Sequence, residues 1–144
     1  MNILVINGPN LNMLGTREPK IYGSRTLADL CALIQEHCNG RSIGISFYQS
    51  NHEGGIVDEI QAAYGKTDGI VLNPGGYTHS SVAIRDAIAA VGIPTVEVHI
   101  SDPDTREDFR HVSYVRDVCA ATFKGMGFDG YLKAVDFLAE SCGQ

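Results

Sequence analysis

Apolar runs alternate with segments of helical period along the whole chain. Asn2-Ile3-Leu4-Val5-Ile6 is a β-rich apolar run, and Asn7-Gly8-Pro9-Asn10 ends it. Thr26 with Asp29 three residues on has the pattern of a capping box, and Leu27, Leu30, Cys31, Ile34 and Cys38 follow at helical spacing until Gly40. Residues 43–49 read as a second strand. Asn51 is then positioned to cap a helix carrying Ile56, Ile60, Ala63 and Tyr64 on one face, ended by Gly65. Residues 69–72 are apolar without alternation, as expected for a strand covered by helices on both faces. Ile84, Ala87, Ile88 and Val91 mark a helix that Gly92 closes and Pro94 keeps from continuing. A fourth strand over 95–100 leads into Ser101-Asp102-Pro103-Asp104, which is turn chemistry, and then a short charged helical segment over 105–110. Residues 120–123 predict a fifth strand. Tyr131, Ala134, Val135 and Leu138 predict a last helix, with 141–144 expected to fray.

This alternation predicts an α/β fold: a flavodoxin-like, doubly wound, five-stranded parallel sheet of order 2-1-3-4-5. In that order the ligand crevice falls at the carboxyl ends of the first and third strands. Two irregular segments should meet there. Residues 11–23 hold Arg17, Lys20 and Tyr22 with no sustained period, and a connection this long is either a lid or binding loop or simple filler. Asn73-Pro74-Gly75-Gly76-Tyr77-Thr78-His79 is the second. The expected organisation is one domain over 1–144 with an active-site lid loop at 11–23.

Composition narrows the classes. With 44% hydrophobic and 19% charged residues the chain is not disordered, and a net charge of -6 argues against a nucleic-acid partner. No run approaches the roughly 20 apolar residues of a membrane span, and Met1 leads directly into a core strand. A cytoplasmic protein without membrane association is expected. Cys31, Cys38, Cys119 and Cys142 form no C-x-x-C pair and read as free thiols.

Neither phosphate-loop signature, G-x-G-x-x-G after the first strand or G-x-x-x-x-G-K-[ST], is present, and Asn73 stands where a response regulator would need Asp. Glu97 and His99 lie two apart on one strand and therefore project to the same side. A carboxylate beside an imidazole suits a general acid or base, although a satisfied strand-end histidine is the plain alternative. His79, His99 and His111 lack metal-ligand spacing. Arg106 and Arg110, four apart, read as one face of a short helix that is either a clamp for hydroxyls or carboxylate, or a solvated charged surface with Asp102, Asp104, Glu107 and Asp108. Arg17 and Tyr22 share the first loop. Lowering a phenol's pKa by about two units takes about 2.7 kcal/mol, and one charge at about 4 Å supplies about 4 kcal/mol at an effective dielectric of about 20. A single arginine could make Tyr22 a base, and Tyr22 as a loop anchor is equally open.

Together these segments resemble the type II 3-dehydroquinate dehydratases (type II dehydroquinases) of the shikimate and quinate routes. The resemblance rests on Ile6-Asn7-Gly8-Pro9-Asn10-Leu11, Leu14-Gly15-Thr16-Arg17-Glu18-Pro19, Tyr22-Gly23, residues 73–81, Glu97-Val98-His99-Ile100-Ser101 and Arg106-Glu107-Asp108-Phe109-Arg110-His111. It implies dehydration of 3-dehydroquinate to 3-dehydroshikimate by anti elimination through an enolate, with no metal or organic cofactor. By this resemblance Tyr22 is the base, held as phenolate by Arg17, and His99 is the acid, with Asn73 and Glu97 positioning groups around it. Asn10, with an ordered water and the Gly75 region, would stabilise the enolate oxygen. Backbone N–H groups of Ile100 and Ser101 would hold the substrate carboxylate, His79 and Arg110 the ring hydroxyls, and Arg106 would close over the site. The resemblance also implies a homo-oligomer, trimers grouped into a dodecamer, in which Asp86 reaches the neighbouring subunit's site. Gly76 and Thr16 depart from the family pattern without touching a catalytic role.

Two rivals remain at this point. An imine-forming dehydratase would need a buried lysine, which Lys20, Lys66, Lys124 and Lys133 do not offer in an apolar run. A flavin- or nucleotide-binding module would use the same fold.

Overall fold

The computed structural model describes residues 1–16, 20 and 24–142. Five strands, β1 (Asn2–Asn7), β2 (Gly44–Gln49), β3 (Gly69–Asn73), β4 (Thr95–His99) and β5 (Ala121–Lys124), form one sheet in the order β2-β1-β3-β4-β5. All four pairings are parallel. Helices α1 (Leu27–Cys38), α2 (Glu53–Ala62), α3 (Val82–Val91) and α4 (Asp129–Cys142) cover it. The predicted fold class and strand order are those observed.

Strand parity sorts the core into two layers. Ile3, Val5, Val71, Val96 and Val98 pack with Leu30 and Ile34 of α1 and with Tyr131, Val135 and Leu138 of α4. Leu4, Ile6, Ile70 and Leu72 pack on the other face with Ile56 and Ile60 of α2 and with Ile84 and Ile88 of α3. Each fully buried aliphatic side chain contributes about 1.5–3 kcal/mol, and together they offset the ordering entropy of the chain. Cores on both faces explain why β3 reads as a continuous apolar run and is buried throughout. The capping box at Thr26 and Asp29 forms in both directions, at 3.2 and 2.9 Å. Ser81 caps α3 by accepting from the Ile84 amide at 2.9 Å, and Gly92 closes it at φ 66°.

Three sequence expectations are corrected. Asn51 does not cap α2; His52 occupies that position without a side-chain cap, because the Asn51 carboxamide oxygen is taken by the Asn10 amide at 3.0 Å and by Gln49 Nε2 at 3.2 Å. Tyr64 is 69% exposed: α2 ends at Ala62, and although Ala63 still packs beside Ile56 and Ile60, Tyr64 falls outside that stripe. Residues 105–110 are not a helix but two 3₁₀ turns, Pro103–Thr105 and Asp108–Arg110, with Arg106 extended between them at φ −109°. The Asp102 side chain caps the Asp104 amide and so starts the first turn two residues early, and six residues are too few to sustain an α-helix alone. The last helix, α4, runs through Cys142, and of the segment expected to fray, residues 143–144 lie outside the described residues.

The expected lid divides. Residues 11–13 form a 3₁₀ turn, and Leu11 and Leu14 pack into the α1/α4 core. Arg17 and Tyr22 lie outside the described residues. No helix among the described residues is long and apolar enough to cross a membrane.

Candidate active site

The loops after β1 and β3 lock together backbone against backbone. The Gly8 amide donates to the Asn73 carbonyl at 2.8 Å, and a Cβ on Gly8 would lie 2.4 Å from the Pro74 carbonyl oxygen. Gly75 adopts φ 61°, where a Cβ would sit 3.0 Å from the Pro9 carbonyl oxygen. Only glycine permits both approaches. Asn10 takes a left-handed conformation, φ 70°, tolerated by asparagine and held here by Asn51.

Above this junction lies a polar pocket of about 150 Å³, room for a small polar molecule. Asn10 and Leu11 line it from the first loop, Asn73, Gly75, Gly76 and His79 from the second, and His99, Ile100, Ser101, Pro103, Arg106 and Arg110 from β4 and the turns after it. Nine of the sequence-predicted site residues are thus brought to one place from three loops. Asp86 is exposed on α3, outside this lining.

Glu97 stands behind the lining and is fully buried, with His99 6% exposed beside it. The His99 Nε2–H donates to Glu97 Oε2 at 2.5 Å, as their shared strand face requires. Ser113 donates to the same oxygen at 2.8 Å, Thr122 donates to Oε1 at 3.1 Å, and Arg116 Nε is 3.5 Å from Oε1. Burial acts to raise the Glu97 pKa. The hydrogen bond and charge of His99, the Ser113 hydroxyl and the Arg116 guanidinium outweigh it, so the carboxyl is held below its ordinary range. With Nε2 committed to a carboxylate, the remaining nitrogen, Nδ1, is the one available to a ligand.

His79 donates Nδ1–H to the Val112 carbonyl at 2.7 Å, and burial lowers its pKa. Its Nε2 is then an acceptor suited to a hydroxyl. Arg110 is held by Glu107 at 2.5 Å, and Arg106 Nη1 reaches the Ser101 hydroxyl at 3.5 Å. Although no helix aligns them, the two turns still bring both guanidinium groups to the pocket. The carbonyls of His99, Ile100 and Ser101 are braced from behind by the amides of Gly125 and Gly127, at 3.1 to 3.3 Å.

Four residues escaped sequence reasoning. Ser113, Thr122 and Arg116 come to Glu97 from distant segments, and the only local signal is that Thr122 pairs with Glu97 in the parallel register. Tyr131 reads as a core position of α4 and is one, yet its hydroxyl meets Asn7 and Asn73. The four cysteines are free, and burial near Glu97 and Asp117 pushes the Cys119 thiol up to about 12, which makes it inert as a nucleophile. Among the described residues no group of three or more His, Cys, Asp or Glu side chains could hold a metal ion.

The Dehydroquinase class II family matches over residues 1–139. The catabolic 3-dehydroquinase 1 of Aspergillus terreus is 56% identical over 138 residues, 96% of this chain and 91% of that one. The 3-dehydroquinate dehydratase 1 of Ralstonia nicotianae is 50% identical over 145 residues, covering 99% of this chain and 92% of that one. The crystal structure of the type II dehydroquinase from Butyrivibrio crossotus superposes with a TM-score of 0.94 at 54% identity, covering 96% of this chain and 97% of that one. A match over nearly the whole chain at this identity means that the chain belongs to the class II dehydroquinase family, the type II 3-dehydroquinate dehydratases, which are hydro-lyases.

Proposed function

We propose that this chain converts 3-dehydroquinate to 3-dehydroshikimate by anti elimination through an enolate, with Tyr22 as base and His99 as acid. The observation that carries the reading is the buried Glu97–His99 pair facing a small polar pocket at the carboxyl edge of the sheet. Tyr22, as a phenolate stabilised by Arg17, takes the proton next to the ketone. The electron pair moves into an enolate whose oxygen is met by Asn10 and the Gly75 region. The enolate then re-forms the ketone and expels the β-hydroxyl, which takes a proton from His99 Nδ1 and leaves as water. Glu97 stabilises the imidazolium that donates it and fixes the ring's orientation. Anti elimination needs base and acid on opposite faces of the bound ring, and His99 supplies the acid from the end of β4.

The backbone N–H groups of Ile100 and Ser101 take the substrate carboxylate, His79 and Arg110 take ring hydroxyls, and Arg106 closes over them. Residues 11–23 serve as the lid of a single domain. The assembly is a trimer grouped into a dodecamer, in which Asp86 serves a neighbouring site; light scattering of the purified protein reads that size.

The decisive experiment is the ultraviolet absorbance of the conjugated enone formed from 3-dehydroquinate. Tyr22→Phe should abolish turnover with KM little changed, and Arg17→Met should move the rising limb of the pH–rate profile to higher pH. The double variant should be scarcely worse than the worse single one. Additive losses, or a pH profile unmoved by Arg17→Met, would separate the two residues, and a borohydride-trapped adduct would point to imine chemistry instead.

A further inference from the structure

Among the described residues Tyr131 is the one fully buried phenol, and the elimination gives it no part. Its position is unusual for a core aromatic. Asn7 and Asn73 are the last residues of β1 and β3 and lie opposite each other in the parallel register, at the point where the two strands send their loops apart. Parity turns both side chains toward α4. The Tyr131 hydroxyl sits between them, 2.6 Å from Asn7 Oδ1 and 2.9 Å from Asn73 Nδ2. The three groups are 0%, 1% and 4% exposed, so water does not compete for these bonds.

The direction of every bond in this chain follows from one backbone amide. The Gly75 N–H donates to Asn73 Oδ1 at 3.1 Å, which forces the carboxamide nitrogen to the opposite side. That nitrogen meets the Tyr131 oxygen, which must accept. The hydroxyl proton is then committed to Asn7, whose carboxamide must present its oxygen. Among the described residues Asn73 is left with a single uncommitted N–H, and its carboxamide cannot flip without breaking the buried bond to Tyr131 and the partly buried one from Gly75.

We infer that Tyr131 is a positioning residue: its hydroxyl, anchored on Asn7, fixes the carboxamide of Asn73 and through it the Gly75 turn that lines the pocket. The inference rests on the reading above in which Asn73 and the Gly75 region serve the substrate. Tyr131 touches no reacting atom. Its effect should therefore appear in kcat rather than KM, as slight misplacement of groups needed in the transition state.

Kinetics of Tyr131→Phe, Asn73→Ala and the double variant with 3-dehydroquinate test this. Tyr131→Phe is expected to lower kcat by roughly ten- to a hundredfold with KM little changed. Its pH–rate profile should keep the wild-type limbs, since no proton in the reaction passes through it. Placed on Asn73→Ala, it should cost little more, because its route to the substrate is already cut. Wild-type turnover in Tyr131→Phe beside an impaired Asn73→Ala would overturn the positioning role alone. Additive losses would overturn it too, by showing another route. Wild-type turnover in Asn73→Ala would overturn the assignment of Asn73 and this inference with it. If Tyr131→Phe does not fold, Asn7→Ala carries the same test: a lower kcat that is not additive with Asn73→Ala supports the role, and an unaltered kcat overturns it.

Discussion

The two sides of the pocket are built on opposite principles. On one, Glu97 and His99 belong to a strand inside the sheet, buried, with both carboxylate oxygens engaged. On the other, Arg106 lies extended between two 3₁₀ turns and Arg110 ends the second, held by a Glu107 carboxylate that is itself half exposed. The buried pair acts at low local dielectric, where its geometry is fixed before any ligand arrives. The arginines act near water, where an ion pair is weak and readily exchanged for a ligand's oxygen. The acid side is preorganised, and the cationic side is exchangeable.

The largest test of this contrast is His99→Ala. It removes the acid while Ser113 and Thr122 stay bonded to the Glu97 carboxylate, so the protein should fold while kcat falls by about 10²–10⁴, as read by enone absorbance. Glu97→Gln should act next. It keeps the shape and removes the buried charge, lowering kcat by less than His99→Ala and stability at pH 7 by about 1–3 kcal/mol. The folded pKa of Glu97 lies below its ordinary value of 4.5, so its ionisation adds stability that is complete above that value and is lost as the pH falls through the folded one. Urea midpoints of wild type and Glu97→Gln should therefore differ at neutral pH and converge in acid. The smallest effect belongs to the exchangeable side: Glu107→Ala should leave the thermal midpoint unmoved within error and alter KM alone. A large loss of kcat in Glu107→Ala would mean that the turns are as preorganised as the strand.

The contrast also explains what could be read from residues in order. The Glu97–His99 pair was legible because strand period guarantees that residues two apart share a face. The Arg106–Arg110 pairing was misread because its geometry depended on whether the six residues 105–110 form a helix, and one Asp102 cap settled that as two turns. Asn51 was misread for a related reason. Its carboxamide suits a helix cap, and a loop from elsewhere in the chain took it instead.

Sequence by itself determined the layers, the strand order and the pocket's address. Those follow from hydrophobic period and turn residues, which are local and repeat often enough to be unambiguous. Tertiary structure alone decided which polar groups meet. That Thr122 and Ser113 converge on Glu97, and that Tyr131 joins the ends of β1 and β3, depends on register and crossover between segments up to 124 residues apart. A buried tyrosine on a helical stripe has the same sequence signature whether its hydroxyl is idle or bonded. Only the packed sheet, by excluding water and bringing two strand ends side by side, gives that hydroxyl its partners.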